Sequence, residues 1–259
     1  VYASDLVRTD ITFDNYMKHV SALYGHCIAR KIIRDNPCAT VERRSDGPGE
    51  VKILSTEQCA HLFHTALTYT EDDEKPFLVA IGRLALEFFL GLRFASAARV
   101  SKNEINFADR GVLLPRRKLK TGKQRGGRKH YVDGMPDQLW SWLAITPEEC
   151  WTLAPRDYLT LKSKLFIVAG VPHPHNCARH SFATYDLRAH KNPGRTATLL
   201  CHTDQQQLWE HYLGIATHEM GKKYQRITPG NCADLAQGWQ SVVFAAFATP
   251  EDAPLQLPA

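Results

Sequence analysis

Asn176-Cys177-Ala178-Arg179-His180-Ser181-Phe182-Ala183-Thr184 is the stretch on which the fold turns. It follows a proline-spaced approach, Pro172-His173-Pro174-His175, and opens a segment of helical character over 177–190. An Arg-His pair in the first turn of a helix is common by itself, so its neighbours in the chain decide what it means. Upstream, Gly91-Leu92-Arg93 closes an apolar run from Phe77 to Leu90 and precedes a shorter helix near 95–101. Downstream, Leu200-Cys201-His202 is followed ten residues later by Tyr212, within Trp209-Glu210-His211-Tyr212.

Further out, the pattern is mainly α with a small antiparallel β-sheet. Residues 11–33 have helical apolar spacing and stop before Asn36-Pro37, a helix breaker. A polar Gly/Pro linker follows over 42–50. Ser55-Thr56-Glu57-Gln58 reads as a capping box opening a helix with Cys59, Leu62, Phe63, Ala66 and Leu67 on one face. The run from Phe77 to Leu90 is too short and too charged to span a bilayer. It reads as a buried helix whose Arg83 and Glu87, four apart, pair with each other. Short extended pieces at 104–107, 111–114 and 128–133, with turn residues between them, predict the sheet. Helical signals return near 136–144, 155–169, 177–190, 194–201, 205–215 and 217–226. A further helix is expected within 231–248, and the Pro-rich end beyond it is expected to be unstructured.

Composition excludes disordered, collagenous and coiled-coil classes, since 44% of the 259 residues are hydrophobic and 23% charged. The net charge of +5 is modest, but its distribution is not even. Between Asp109 and Asp133 no acidic residue occurs, and eight basic ones crowd into 116–129: Arg116, Arg117, Lys118, Lys120, Lys123, Arg125, Arg128 and Lys129. The turn Lys120-Thr121-Gly122-Lys123 makes this a basic hairpin rather than a basic helix, and Gly126-Gly127 permits close backbone approach to a ligand. A solvated loop is the plain alternative. Charge on both strands favours a nucleic-acid backbone, where each neutralised phosphate releases counterions. Seven cysteines, odd in number and without a CxxC pair, point to a reducing, cytoplasmic setting. The N-terminus carries no signal-peptide pattern, and with Met17 as its first methionine the chain reads as a piece of something longer.

Taken in order, Gly91-Leu92-Arg93, Lys120, the Arg179-His180 helix start, Leu200-Cys201-His202 and Tyr212 resemble the tyrosine recombinases, the phage-integrase family. The resemblance covers about residues 46–229 as a catalytic domain. It makes 1–45 the last part of a helical core-binding domain and leaves 230–259 as a C-terminal helix and tail. It implies site-specific cleavage and rejoining of double-stranded DNA through a 3′-phosphotyrosine intermediate, self-association on DNA as a synaptic tetramer, and no cofactor, metal or ATP. By the same resemblance Arg93 and Arg179 neutralise the phosphate, Lys120 is the general acid for the 5′ oxygen, His202 donates to the phosphate and Tyr212 attacks. The chemistry suits these residue types: guanidinium forks bind non-bridging oxygens in pairs and stay charged, and a phosphotyrosine bond conserves the energy of the broken one. Tyr224 also follows His202, but lies beyond a break near Ala216-Thr217.

Three positions depart from the family pattern. Asn176 stands where a histidine is usual, and an amide donates a hydrogen bond but takes no proton. Ser96 replaces an acidic residue three after Arg93, and Cys201 replaces a glycine before His202. Asn176 and Ser96 motivate an alternative, a catalytically attenuated DNA-binding relative of the same fold. A second alternative is a zinc site from His173, His175, Cys177 and His180, ligands of suitable chemistry on a proline-broken segment. Residue by residue, Arg93 also reads as a helix-end charge partner, Arg179 and His180 as surface positions, His202 as a structural histidine, and Tyr212 as an aromatic on an amphipathic helix.

Overall fold

The computed structural model describes residues 10–42, 51–115, 129–201, Tyr212 and 214–247. The chain divides into two compact units, Val1–Glu50 and Val51–Ala259. The basic turn, most of the 42–50 linker, most of the 205–215 segment and the Pro-rich end lie outside the described residues.

In the first unit, helix α1 spans Asp10–Ala29. It ends four residues earlier than its apolar spacing suggests, because Lys31 adopts a left-handed φ of 59° and the amides of Lys31 and Ile32 turn back to the Ile28 and Cys27 carbonyls. Asn36 then acts as the expected breaker. Its side chain accepts from the Cys38 amide at 2.9 Å and donates to Ser21 Oγ at 2.8 Å, starting a 3-10 turn at Pro37–Thr40.

The second unit opens with α2, Thr56–Thr68, on the capping box read from the sequence. The Gln58 amide donates to Ser55 Oγ at 3.1 Å, and the Ser55 amide donates to Gln58 Oε1 at 2.8 Å. A 3-10 turn, Leu78–Ala80, leads into α3, Ile81–Phe89, in which every residue is buried. Short α4, Phe94–Ala97, and a 3-10 turn at Lys102–Glu104 feed a three-stranded antiparallel sheet. Its strands are β1 (Ile105–Asn106), β2 (Gly111–Pro115) and β3 (Lys129–Val132), in the order β1-β2-β3. Val112 pairs with Val132 and Leu113 with Tyr131. The alternation of the pleat buries Val112, Leu114 and Val132 and turns Tyr131 outward.

Helices α5 (Asp137–Ala144), α6 (Glu149–Thr152), α7 (Pro155–Val168), α8 (Cys177–His190) and α9 (Pro193–Leu199) follow. After Tyr212 come α10, His218–Gln225, and α11, Cys232–Phe247. The unit is therefore mainly helical with one small sheet. Helix α3 is its axis, packed against α5 and α8, while α11 lies on α2 and α10 on α8. An aromatic cluster of Phe63, Phe88, Phe89, Trp142 and Tyr224 fills the centre, and Trp142 Nε1 donates to the Ile227 carbonyl at 2.8 Å. Helix α10 approaches α8 so closely that a Cβ on Gly221 would stand 2.7 Å from the Ala189 amide nitrogen.

One expectation fails. Arg83 and Glu87 do not pair along α3. Arg83 donates to the carbonyls of Leu153 (2.7 Å) and Trp151 (3.3 Å). Glu87 instead receives Lys162 Nζ at 2.6 Å and the Tyr158 hydroxyl at 2.5 Å, both from α7. Because α3 is enclosed on all sides, each charge is satisfied by whichever element covers it, and the i,i+4 rule for exposed helix faces does not apply.

Candidate active site

Arg93 sits at the start of α4, on a turn that only glycine accommodates. Gly91 has φ +67°, and a Cβ there would lie 2.5 Å from Leu200 Cδ2 and from Phe182 Cδ1. The Gly-Leu-Arg segment is thus pressed against both other motif segments, and Arg93 leaves the turn half-buried with an extended backbone. Ser96, three residues on, is buried in α4 and donates its amide to the Arg93 carbonyl at 2.8 Å.

Arg179 ties the segments together. From the first turn of α8, only 5% exposed, its Nη1 donates to the Gly91 carbonyl at 2.5 Å and its Nη2 to the Leu200 carbonyl at 2.8 Å. Burial, followed by the like charge of Arg93, pushes its pKa down to about 10, which leaves it cationic at neutral pH. Leu200 is held in turn by α9. Asn192 caps that helix by accepting the Arg195 amide, and buried Asp186 of α8 accepts from Thr196 Oγ1 at 2.7 Å and pairs with the Arg195 guanidinium. Cys201 has a left-handed φ of 54°, the backbone state that glycine adopts without strain, so the departure from a glycine there is a local cost rather than a different turn. Its thiol is raised to about 11 by burial, against the pull of Arg179 and Arg93.

Tyr212 is brought to the same place. It is 5% exposed, its hydroxyl oxygen lies 2.8 Å from His180 Nδ1, and the two rings stand 5.8 Å apart. Burial raises its pKa, while the fields of Arg179 and then Arg93 pull it down. Tyr224 is placed differently. Its hydroxyl donates to the Phe88 carbonyl in the core, its ring stacks on Tyr185 at 4.6 Å, and burial drives its pKa far up.

Asn176 precedes α8 with φ 57° and ψ 18°, a left-handed conformation that asparagine and histidine tolerate better than most residues, and its side chain does not cap the helix. With exposed His175, it borders a hollow of about 340 Å³ lined also by Glu87, Phe94, Lys162 and His173. The four candidate zinc ligands do not converge. His173 stacks on Phe166 at 4.0 Å, Cys177 is buried, and His180 faces Tyr212. Among the described residues no group of three or more His, Cys, Asp or Glu side chains is arranged to hold a metal. Nor, among them, is any helix long and apolar enough to cross a membrane.

Of the residues expected from the sequence, Arg93, Arg179 and Tyr212 therefore share one electrostatic neighbourhood, with Asn176 at the start of the same helix as Arg179. Lys120, His202, Arg116, Arg117, Lys118, Lys123, Arg125 and Arg128 lie outside the described residues, and Lys129 is described only as a backbone position pairing with Pro115. The sequence assigned no role to Tyr158 and Lys162, and gave Glu87 the wrong partner, because both of its partners lie more than seventy residues away. His180 was legible as part of the Arg-His motif, but its partner was not.

No family model matches the chain, and no curated protein matches it by sequence. Solved structures do. The integrase of transposon Tn1549, in complex with circular intermediate DNA, superposes with a TM-score of 0.60 at 15% identity, covering 85% of this chain and 80% of that one. The same integrase in complex with transposon right end DNA gives 0.60 at 14% identity, over 85% and 79%. At such identities the likeness is one of fold. The chain shares the fold of that integrase, mainly helical with one small antiparallel sheet.

Proposed function

We propose that this chain is a DNA strand transferase of the tyrosine-recombinase kind, with Tyr212 as nucleophile. The observation that carries this is the convergence on Arg179. One guanidinium bonds the backbone of both the Gly91-Arg93 turn and the Leu200-Cys201 turn, and its charge, with that of Arg93, bears on a buried tyrosine hydroxyl. Two preorganised cations beside a phenol suit a pentacoordinate phosphate, whose negative charge grows as the phenol oxygen attacks. Two of the five guanidinium donors of Arg179 are engaged by carbonyls, and the others are suited to the non-bridging oxygens.

In this mechanism Tyr212 attacks phosphorus, the bond to the 5′ oxygen breaks, and Lys120 protonates that oxygen, while His202 and Asn176 donate hydrogen bonds to the phosphate. Rejoining reverses the sequence, with energy held in the 3′-phosphotyrosine bond. The basic residues Arg116, Arg117, Lys118, Lys123, Arg125, Arg128 and Lys129 grip the DNA backbone, and recombination takes place in an assembly of several copies on DNA. The DNA complexes of the Tn1549 integrase support DNA as the partner.

The test is covalent capture on a pool of randomised duplexes carrying a single nick, so that the short fragment bearing the freed 5′ hydroxyl diffuses away and the adduct persists. Wild type is expected to form a denaturant-resistant protein–DNA adduct, Tyr212→Phe to lose it while retaining DNA binding, and Tyr224→Phe to keep it. An adduct that survives Tyr212→Phe and disappears in Tyr224→Phe refutes the assignment. DNA binding without any adduct from wild type favours the attenuated relative, which Asn176 and Ser96 motivate.

A further inference from the structure

Asn176 leaves the nucleophile without the side chain expected to take its proton, and His180 lies one helical turn further along α8. Its Nδ1 is 2.8 Å from the Tyr212 oxygen, within the range over which a proton passes directly between heavy atoms. His175, the other histidine next to position 176, is exposed and borders the hollow instead. We propose that His180 is the proton acceptor for Tyr212, in place of the residue at position 176. The inference rests on the strand-transfer reading above and adds to it the identity of the base.

The geometry gives three reasons. Arg179 and His180 are consecutive on a buried helix start, so the cation that receives the phosphate and the base that frees the phenol are fixed by one backbone. That backbone is tightly held, since Ser181 Oγ accepts the Leu54 amide at 2.9 Å and Tyr185 donates to the Leu54 carbonyl at 2.9 Å. Next, Tyr212 is almost fully enclosed, so bulk water is poorly placed to take its proton, and the ionised phenol needs an acceptor already in contact. Lastly, a neutral imidazole offers one lone pair, and Nδ1 is the nitrogen facing the hydroxyl, which sets the required tautomer with hydrogen on Nε2.

The step balances. The Tyr212 O–H bond breaks and its proton moves to His180 Nδ1. The phenol oxygen bonds to phosphorus as the bond to the 5′ oxygen breaks, and that oxygen takes a separate proton from the general acid. On rejoining, the 5′ hydroxyl returns its proton to the deprotonated general acid as it attacks phosphorus, the phosphotyrosine bond breaks, and His180 returns its proton to the phenol.

Two measurements on the full chain test this. Without DNA, ¹⁵N spectra of labelled histidine should show His180 Nδ1 as an unprotonated, hydrogen-bond-accepting nitrogen whose resonance moves by several ppm in Tyr212→Phe. A protonated Nδ1, or a resonance indifferent to Tyr212→Phe, overturns the proposal. On the nicked-duplex pool, His180→Ala should slow adduct formation by about 10²–10⁴-fold, the usual contribution of a positioned base. Added imidazole should restore at least tenfold of that loss, whereas His180→Gln, which preserves polarity but cannot take the proton, should remain slow. Wild-type rates in His180→Gln, or a His180→Ala defect that imidazole leaves untouched, would reduce His180 to a packing residue and sink the idea. If wild type forms no adduct, the strand-transfer reading fails, and the His180–Tyr212 pair is judged by the nitrogen resonance alone.

Discussion

Removing the ammonium of Lys162 should cost this protein more than any surface charge. Lys162 and Glu87 are 5% and 3% exposed, and their charged atoms lie 2.6 Å apart. With Tyr158 they form a buried triad behind Phe94, the residue after Arg93, and the Lys162 ammonium stands 5.7 Å from the Phe94 ring centroid. Lys162→Met keeps an unbranched apolar stem as far as Cε and strands the Glu87 carboxylate with one hydroxyl as partner. Breaking a buried pair on one side costs about 3–5 kcal/mol, because the remaining charge has lost its counter-ion but not its desolvation. At about 2–4 °C per kcal/mol for a unit of this size, Tm should fall by roughly 6–20 °C. The double variant Lys162→Met/Glu87→Met removes both charges and should recover most of the loss, leaving only the Tyr158 hydroxyl to be re-paired. Thermal and urea unfolding of the wild type, both single variants and the double variant complete the cycle. A Lys162→Met loss below about 1 kcal/mol, or a double variant no better than the worse single one, would refute the argument.

Cys201→Gly should stabilise the protein by about 0.5–1 kcal/mol, since relief of a left-handed non-glycine residue outweighs the added chain entropy; a loss on urea denaturation would contradict that account. Gly91→Ala should destabilise by about 2–5 kcal/mol, combining backbone strain with overpacking against Leu200 and Phe182, and an unchanged urea midpoint would show that the turn yields easily. Acid should also weaken the fold. His61 and His173 titrate below the ordinary 6.5, both chiefly through burial, helped by His64 and Lys162 respectively. The unfolded chain therefore binds more protons than the folded one, and stability should drop as pH falls through about 6.5. Urea midpoints at pH 7.5 and 5.5 measure this, and an equal drop in His61→Gln/His173→Gln would clear these two histidines of the effect.

How far each of these features was legible follows the distance over which its cause acts. The Ser55 capping box, the Asn36 break and the alternation of β2 and β3 are local, and the residues that produce them lie within a few positions of one another. The early end of α1 at Ala29 was missed because one left-handed residue, Lys31, outweighs an apolar period that continues past it. The site divides along the same line. Gly91, Arg93, Arg179 and Tyr212 could be picked out because their spacing along the chain matches a known order.

What the sequence determined by itself was the inventory: helices around one small sheet, a run of basic residues over 116–129, and candidate cations and a tyrosine in a given order. Only the tertiary structure decided the pairings. Glu87 joins Lys162 rather than Arg83, Arg179 clamps two turns by their carbonyls, and Tyr212 meets His180 while Tyr224 is consumed by the core. The physical reason is desolvation. A buried charge or hydroxyl takes the partner that the surrounding elements bring to it, and that partner is set by packing between helices distant in sequence, which no local pattern encodes.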